Sequence, residues 1–115
     1  MSDIPPRGTV LCRRDALTAT GAKGVLLQIA GVRYDVFVVA VGAGLRGYVN
    51  ACPHRGTPLE TFDDRFWDST VTVLLCSTHG ARFRPEDGLC IDGPCRGKSL
   101  NPVPLALENG VISVG

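Results

Sequence analysis

The chain has 115 residues, 44% of them hydrophobic and 20% charged, and its 12 basic and 11 acidic side chains leave a formal net charge of +1. That is the composition of one globular domain, able to bury a core but too short for a second catalytic module. No block of basic residues interleaved with aromatics supplies the phosphate attraction that nucleic-acid binding needs. The longest apolar runs, Val36–Val41 and Val71–Cys76, are strand-sized and far short of a membrane span.

In chain order, the N-terminus places Asp3, Pro5 and Pro6 where a signal peptide would carry a basic end and an apolar stretch, which predicts a cytoplasmic protein. Arg13-Arg14 is not followed closely by the apolar segment of an export signal. Short runs of Val, Leu and Ile punctuated by 14 Gly and 8 Pro then predict strands joined by turns. The expected strands are Thr9–Cys12, Gly24–Ile29, Arg33–Val41, Gly47–Asn50, Val71–Leu75, Ala81–Arg84, Gly88–Ile91, Val103–Leu107 and Val111–Val114. Gly42-Ala43-Gly44 reads as a strand connection, lacking the full glycine fingerprint of a dinucleotide site. Asn109-Gly110 suits the positive φ angles of a tight hairpin joining the last two strands. With no helix of ordinary length, the expectation is an all-β, single-domain protein spanning residues 1–115.

Between Gly47 and Asn101 the composition changes, gathering glycine, proline, cysteine and both histidines of the chain. Two segments stand out there: Cys52-Pro53-His54-Arg55-Gly56-Thr57-Pro58-Leu59 and Cys76-Ser77-Thr78-His79-Gly80-Ala81-Arg82-Phe83. Each sets a thiol and an imidazole two or three residues apart on a Gly/Pro-bounded loop, a spacing that lets both donor atoms turn toward one point. Five cysteines, an odd number, in a chain without an export signal also favour metal ligands or free thiols over a disulfide framework. Two Cys and two His suit either zinc, as the core of a non-redox binding module, or a [2Fe–2S] cluster with imidazoles on one iron.

The surroundings of these loops resemble the Rieske [2Fe–2S] domain family, and within it the soluble ferredoxin branch. Cys-x-His is followed by Gly56-x-x-Leu59. Cys-x-x-His-Gly is followed by Phe83, Pro85, Asp87-Gly88 and Gly93-Pro94, then a leucine-bearing stretch into the terminal hairpin, so that the likeness covers Tyr48–Val114. The resemblance implies an antiparallel β-sandwich or barrel scaffold carrying an inserted cluster-binding subdomain of two ligand loops, about residues 47–101. It further implies one [2Fe–2S] cluster, with Cys52 and Cys76 on one iron and His54 and His79 on the other, and Gly93-Pro94 as a loop covering it.

Departures from the family pattern refine this. Thr57 and Thr78 stand where respiratory members place a pair of disulfide-forming cysteines. Ala81 and Phe83 replace Ser and Tyr hydroxyls that bond cluster and ligand sulfur, and losing these donors implies a low reduction potential. The stretch separating His54 from Cys76 is longer than ferredoxin-like members show. Its extra length is assigned to Thr61–Ser69, read as a surface excursion pinned into the core by Phe62, Phe66 and Trp67, with a partner-docking surface as the alternative. Cys90 and Cys95, whose four intervening residues do not match a CxxC redox pair, are expected to be free or packed thiols, with a disulfide or redox-sensing role as the alternative, and Cys12 a small buried apolar residue. Arg55, Arg82 and Arg84 are either solvated loop charges or a basic rim for an acidic partner.

With no histidines left for the mononuclear iron of an oxygenase, the chain is expected to have no catalytic residues of its own. The resemblance implies a one-electron carrier between a flavin-dependent reductase and an oxygenase or other redox enzyme. A redox subunit held permanently on a larger oxidoreductase is the related alternative.

Overall fold

The computed structural model describes residues 4–17, 21–53, 59, 66–68, 72–76 and 80–115. Ten strands are assigned among them: β1 Val10–Arg13, β2 Ala22–Ile29, β3 Val32–Val41, β4 Gly44–Val49, β5 Leu74–Leu75, β6 Arg82–Phe83, β7 Cys90–Asp92, β8 Pro102–Val103, β9 Leu105–Glu108 and β10 Val111–Val114. Among the described residues the one helical element is a single 3-10 turn at Arg14–Ala16. Pairing is antiparallel throughout, in sheets ordered β1-β10-β9, β2-β3-β4-β8 and β5-β6-β7. The all-β expectation holds.

The organising element is β3. Its run Val36-Phe37-Val38-Val39 is buried at every position, so successive side chains enter opposite faces and both faces are covered. Val36 and Val38 join one core with Leu11, Val25, Val49, Val103, Ile112 and Val114. Phe37 and Val39 join the other with Tyr48, Phe66, Leu74 and Phe83. The central sheet thus presents one face to the β1-β10-β9 sheet and the other to the segment that carries the cysteine loops.

Tyr48 of β4 docks that segment. Its hydroxyl donates to the Pro85 carbonyl at 2.6 Å. Its ring lies against Gly88, where a Cβ would stand 2.8 Å from Tyr48 Cε1. From the same side of β4, Arg46 Nε donates to the Glu86 carbonyl at 3.1 Å. The turn linking β6 to β7 is thereby fixed on the central sheet, at a site whose positive φ of 75° already favours glycine.

Two boundaries differ from the sequence expectation in kind. Val103–Leu107 is two strands in different sheets: β8 pairs with β4 and β9 with β10. The break falls at Pro104, which lacks the N–H a continuous ladder would use. In addition, β4 begins at Gly44, so the Gly42-Ala43 turn is short and Leu45 and Arg46 pair with β3.

Candidate metal centre

The first cysteine segment leaves β4 at Asn50, which at 4% exposure is the one buried polar residue among those described. Asn50 Nδ2 donates to Asp35 Oδ1 at 3.2 Å, and its Oδ1 accepts the N–H of Leu59 at 2.9 Å. Its own N–H donates to the Asp35 carbonyl at 2.9 Å. One amide side chain therefore joins the exit of the segment, its return at Leu59, and β3. Cys52, inside this closed stretch, is fully buried.

The second segment is closed by backbone. Cys76 follows β5, its N–H donates to the Ala81 carbonyl at 2.8 Å, and its carbonyl accepts the N–H of Gly80 at 2.8 Å. Cys76 and Ala81 are both fully buried. Behind them Phe66 stacks on Phe37, with ring centroids 4.3 Å apart and planes 13° from parallel. Leu75 N–H donates to the Phe66 carbonyl at 2.7 Å, and Trp67 forms a bridge with Leu74. Phe66 and Trp67 do pin the stretch preceding the second segment, as expected; Phe62, with the rest of residues 61–65 and Ser69, lies outside the described residues.

A third segment touches both. Gly93 (φ 101°) approaches the backbone of Ala81 so closely that a Cβ would meet Ala81 Cα at 2.7 Å. Cys95 lies near both Cys90 and Cys52. Burial first, then these neighbouring thiols, push its pKa up to about 12. Cys95 Sγ donates to Cys90 Sγ at 3.0 Å, and Cys90 Sγ to the Asp92 carbonyl at 3.2 Å. None of the five cysteines is in a disulfide bond.

Of the four ligands expected from sequence, the structure places Cys52 and Cys76 in one buried cluster with Leu59, Ala81, Phe83, Cys90 and Cys95. His54 and His79 lie outside the described residues, as do Arg55, Thr57 and Thr78. Cys90 and Cys95 are packed thiols, and packed on each other. Cys12 is half-buried at the edge of the other core, less enclosed than expected. Arg82 and Arg84 are each ion-paired, to Asp92 at 3.3 Å and Asp87 at 3.4 Å, so much of the charge of a basic rim is neutralised locally. Two placements were not read from the sequence, that of Asn50 and that of Cys95 near Cys52. Asn50 gave no signal, because its role lies in a contact with Asp35. Cys95 could have been found from its place directly after Gly93-Pro94.

Thiols shut away from water in an apolar surround, on two segments locked by a third, suit an iron–sulfur cluster, whose thiolate ligands must be shielded from exchange. Residues 55–75 leave ample chain between the pairs.

Comparison with known proteins points the same way. The fold superimposes on the Sphingomonas yanoikuyae B1 ferredoxin with a TM-score of 0.70 at 20% identity, over 95% of this chain and 97% of that one. The ferredoxin of carbazole 1,9a-dioxygenase from Nocardioides aromaticivorans IC177 matches with a TM-score of 0.68 at 19% identity, over 94% and 98% of the two chains. A structure of the complex of reduced oxygenase and oxidized ferredoxin in carbazole 1,9a-dioxygenase contains a chain matching with a TM-score of 0.69 at 19% identity, over 92% and 90%. No curated protein matches the sequence significantly. Among the described residues no helix is long and apolar enough to cross a membrane. The sequence model of the Rieske [2Fe–2S] domain matches residues 9–108, nearly the whole chain and both cysteine segments, and the protein therefore belongs to the Rieske family, with one [2Fe–2S] cluster as its cofactor.

Proposed function

We infer that the protein is a one-electron carrier that delivers electrons to an oxygenase and receives them from a flavin-dependent reductase. The observation that carries this reading is the ligand inventory. The chain's only two histidines both fall in the paired Cys/His loops, inside the family match, leaving none for a second, substrate-activating iron. The solved complex of a similar ferredoxin chain with the oxygenase of carbazole 1,9a-dioxygenase supports an oxygenase as acceptor.

In this reading Cys52 and Cys76 hold one iron, and His54 and His79 hold the other. When bound, the cluster takes up and gives out a single electron at a potential raised by its neutral imidazole ligands. The protein's own residues supply the enclosure. Asn50 and the Cys76–Ala81 backbone pair hold the two cysteine segments in place, and residues 93–95 lie across both. Ala81 and Phe83, both fully buried, offer no hydroxyl to sulfur, which sets the potential at the low end of the family. The unit that does this is the β5-β6-β7 sheet with its flanking loops, within residues 47–101 of a single domain.

The test is a coupled assay. Cluster-loaded protein is added to a flavin-dependent ferredoxin reductase, NADH and cytochrome c under argon. Cytochrome c reduction rising in proportion to added protein is the expected result. A rate no higher than that of reductase alone, from protein that dithionite reduces normally, would remove the carrier reading.

A further inference from the structure

Cys90 and Cys95 are outside the expected ligand set, and electron transfer leaves them without a task. They are 2% and 1% exposed, one opening β7 and the other in the turn that follows. Backbone bonds fold this stretch onto itself: Cys90 N–H donates to the Lys98 carbonyl at 2.8 Å, Gly97 N–H to the Cys90 carbonyl at 3.1 Å, and Lys98 N–H to the Cys95 carbonyl at 2.9 Å. The fold-back leaves the two sulfurs 3.0 Å apart, about 1 Å beyond a disulfide bond length. The same turn is the one that rests on Ala81 through Gly93 and on Cys52 through Cys95.

We propose that Cys90 and Cys95 form a reversible dithiol–disulfide pair that, when closed, ties the turn at residues 93–95 to β7, beside the two cysteine-bearing segments on which the turn rests. The oxidant is a small disulfide such as glutathione disulfide. A protein thiol attacks it to give a mixed disulfide and one glutathione; the second protein thiol displaces the other glutathione and forms the internal S–S bond. Two protein thiols lose two electrons and two protons, and one glutathione disulfide becomes two glutathione molecules. Access is from the outer side of the turn, where Ile91, Asp92, Gly93, Pro94 and Arg96 are all exposed, so a local opening of the fold-back suffices. Closure ties the turn covalently to β7 and hinders it from lifting off Cys52 and Ala81. The pair stands independently of the electron-transfer reading.

The chain suits a direct test. Because Pro85 follows Arg84, trypsin leaves residues 83–96 as one peptide holding both cysteines, while Cys12, Cys52 and Cys76 fall on three others. Cluster-loaded protein is equilibrated without oxygen in reduced or in oxidised glutathione, quenched in acid, alkylated with iodoacetamide, digested and weighed. The expected peptide is doubly alkylated from the reduced buffer. From the oxidised buffer it is unlabelled and about 2 Da lighter than the dithiol, and it converts back on return to reduced glutathione. Double alkylation from both buffers overturns the proposal, as does a stable glutathione adduct in place of the internal bond. In Cys95→Ser, Cys90 is expected to take up a single glutathione. A Cys90 left unmodified there shows a site closed to exchange and equally overturns it.

Discussion

At the scale of single residues, three positions carry more of the site than their neighbours. Asn50 satisfies the N–H of Leu59 in the buried interior and donates to the half-buried carboxylate of Asp35. Asn50→Ala leaves both without their partner and is expected to cost about 1–3 kcal/mol. It should also speed loss of the cluster's visible absorbance in the presence of a chelator; unfolding in urea and the bleaching rate check the two effects. Tyr48→Phe leaves the Pro85 carbonyl short of its donor, for an expected loss of about 1–2 kcal/mol at neutral pH. This phenol also imprints a pH dependence. Burial chiefly, reinforced by Asp87 and Glu86 and opposed by Arg46, raises its pKa from 10.0 to about 12. Below pH 10 folded and unfolded chains both keep the proton and the contribution is complete. Between pH 10 and 12 the unfolded chain gives up its proton while the folded one holds it, so stability declines as pH rises. Urea midpoints across this alkaline window should fall less steeply in Tyr48→Phe than in the wild type. Gly93 is the third. Its φ of 101° and the 2.7 Å approach of a Cβ to Ala81 Cα leave no room for a side chain without backbone movement. Gly93→Ala is expected to fold its central sheet normally, by circular dichroism, while retaining less iron after gel filtration; full iron retention would show that the turn does not secure the cysteine segments.

Among the elements, β3 decides where the site can be. A strand buried on both faces must be followed by material to cover each face, and the sequence provides it on one side as the terminal hairpin and on the other as the cysteine-bearing segment. The aromatic contact between Phe37 of β3 and Phe66 is the main bridge from scaffold to site. Phe66→Ala opens a cavity there and should destabilise by about 3–5 kcal/mol, with cluster loss and global unfolding occurring together in a thermal melt. This element-level plan was partly legible beforehand. Alternation and turn chemistry located β10 at Val111–Val114 and β3 to within one residue, since these strands are long or end at the Asn109-Gly110 turn. The short strands β5, β6 and β7 were found only approximately, because two or three residues carry too little periodicity to fix a boundary. The division of Val103–Leu107 between two sheets depends on what each half pairs with, information that the local pattern does not contain.

For the whole molecule, the family and its two cysteine segments were legible because metal binding concentrates chemically distinct residues at short spacing, and such a signature survives where overall identity to solved structures is as low as 19–20%. What holds them was not. The Asn50 bridge, the seating of Gly93 on Ala81 and the contact of Cys95 with Cys52 all join residues distant in sequence, and only the folded chain brings them together. The fold places two cysteine segments against one face of a central sheet and lays a third segment over both, an arrangement whose purpose is to hold an inorganic centre in an otherwise apolar surround. The most direct check is to purify the protein without oxygen, assay iron and acid-labile sulfide, and record the EPR spectrum after dithionite reduction. The account predicts about two irons and two sulfides per chain and a reduced signal with the lowered average g value of imidazole-ligated iron. Colourless protein containing zinc, or a signal typical of all-cysteine ligation, would contradict it.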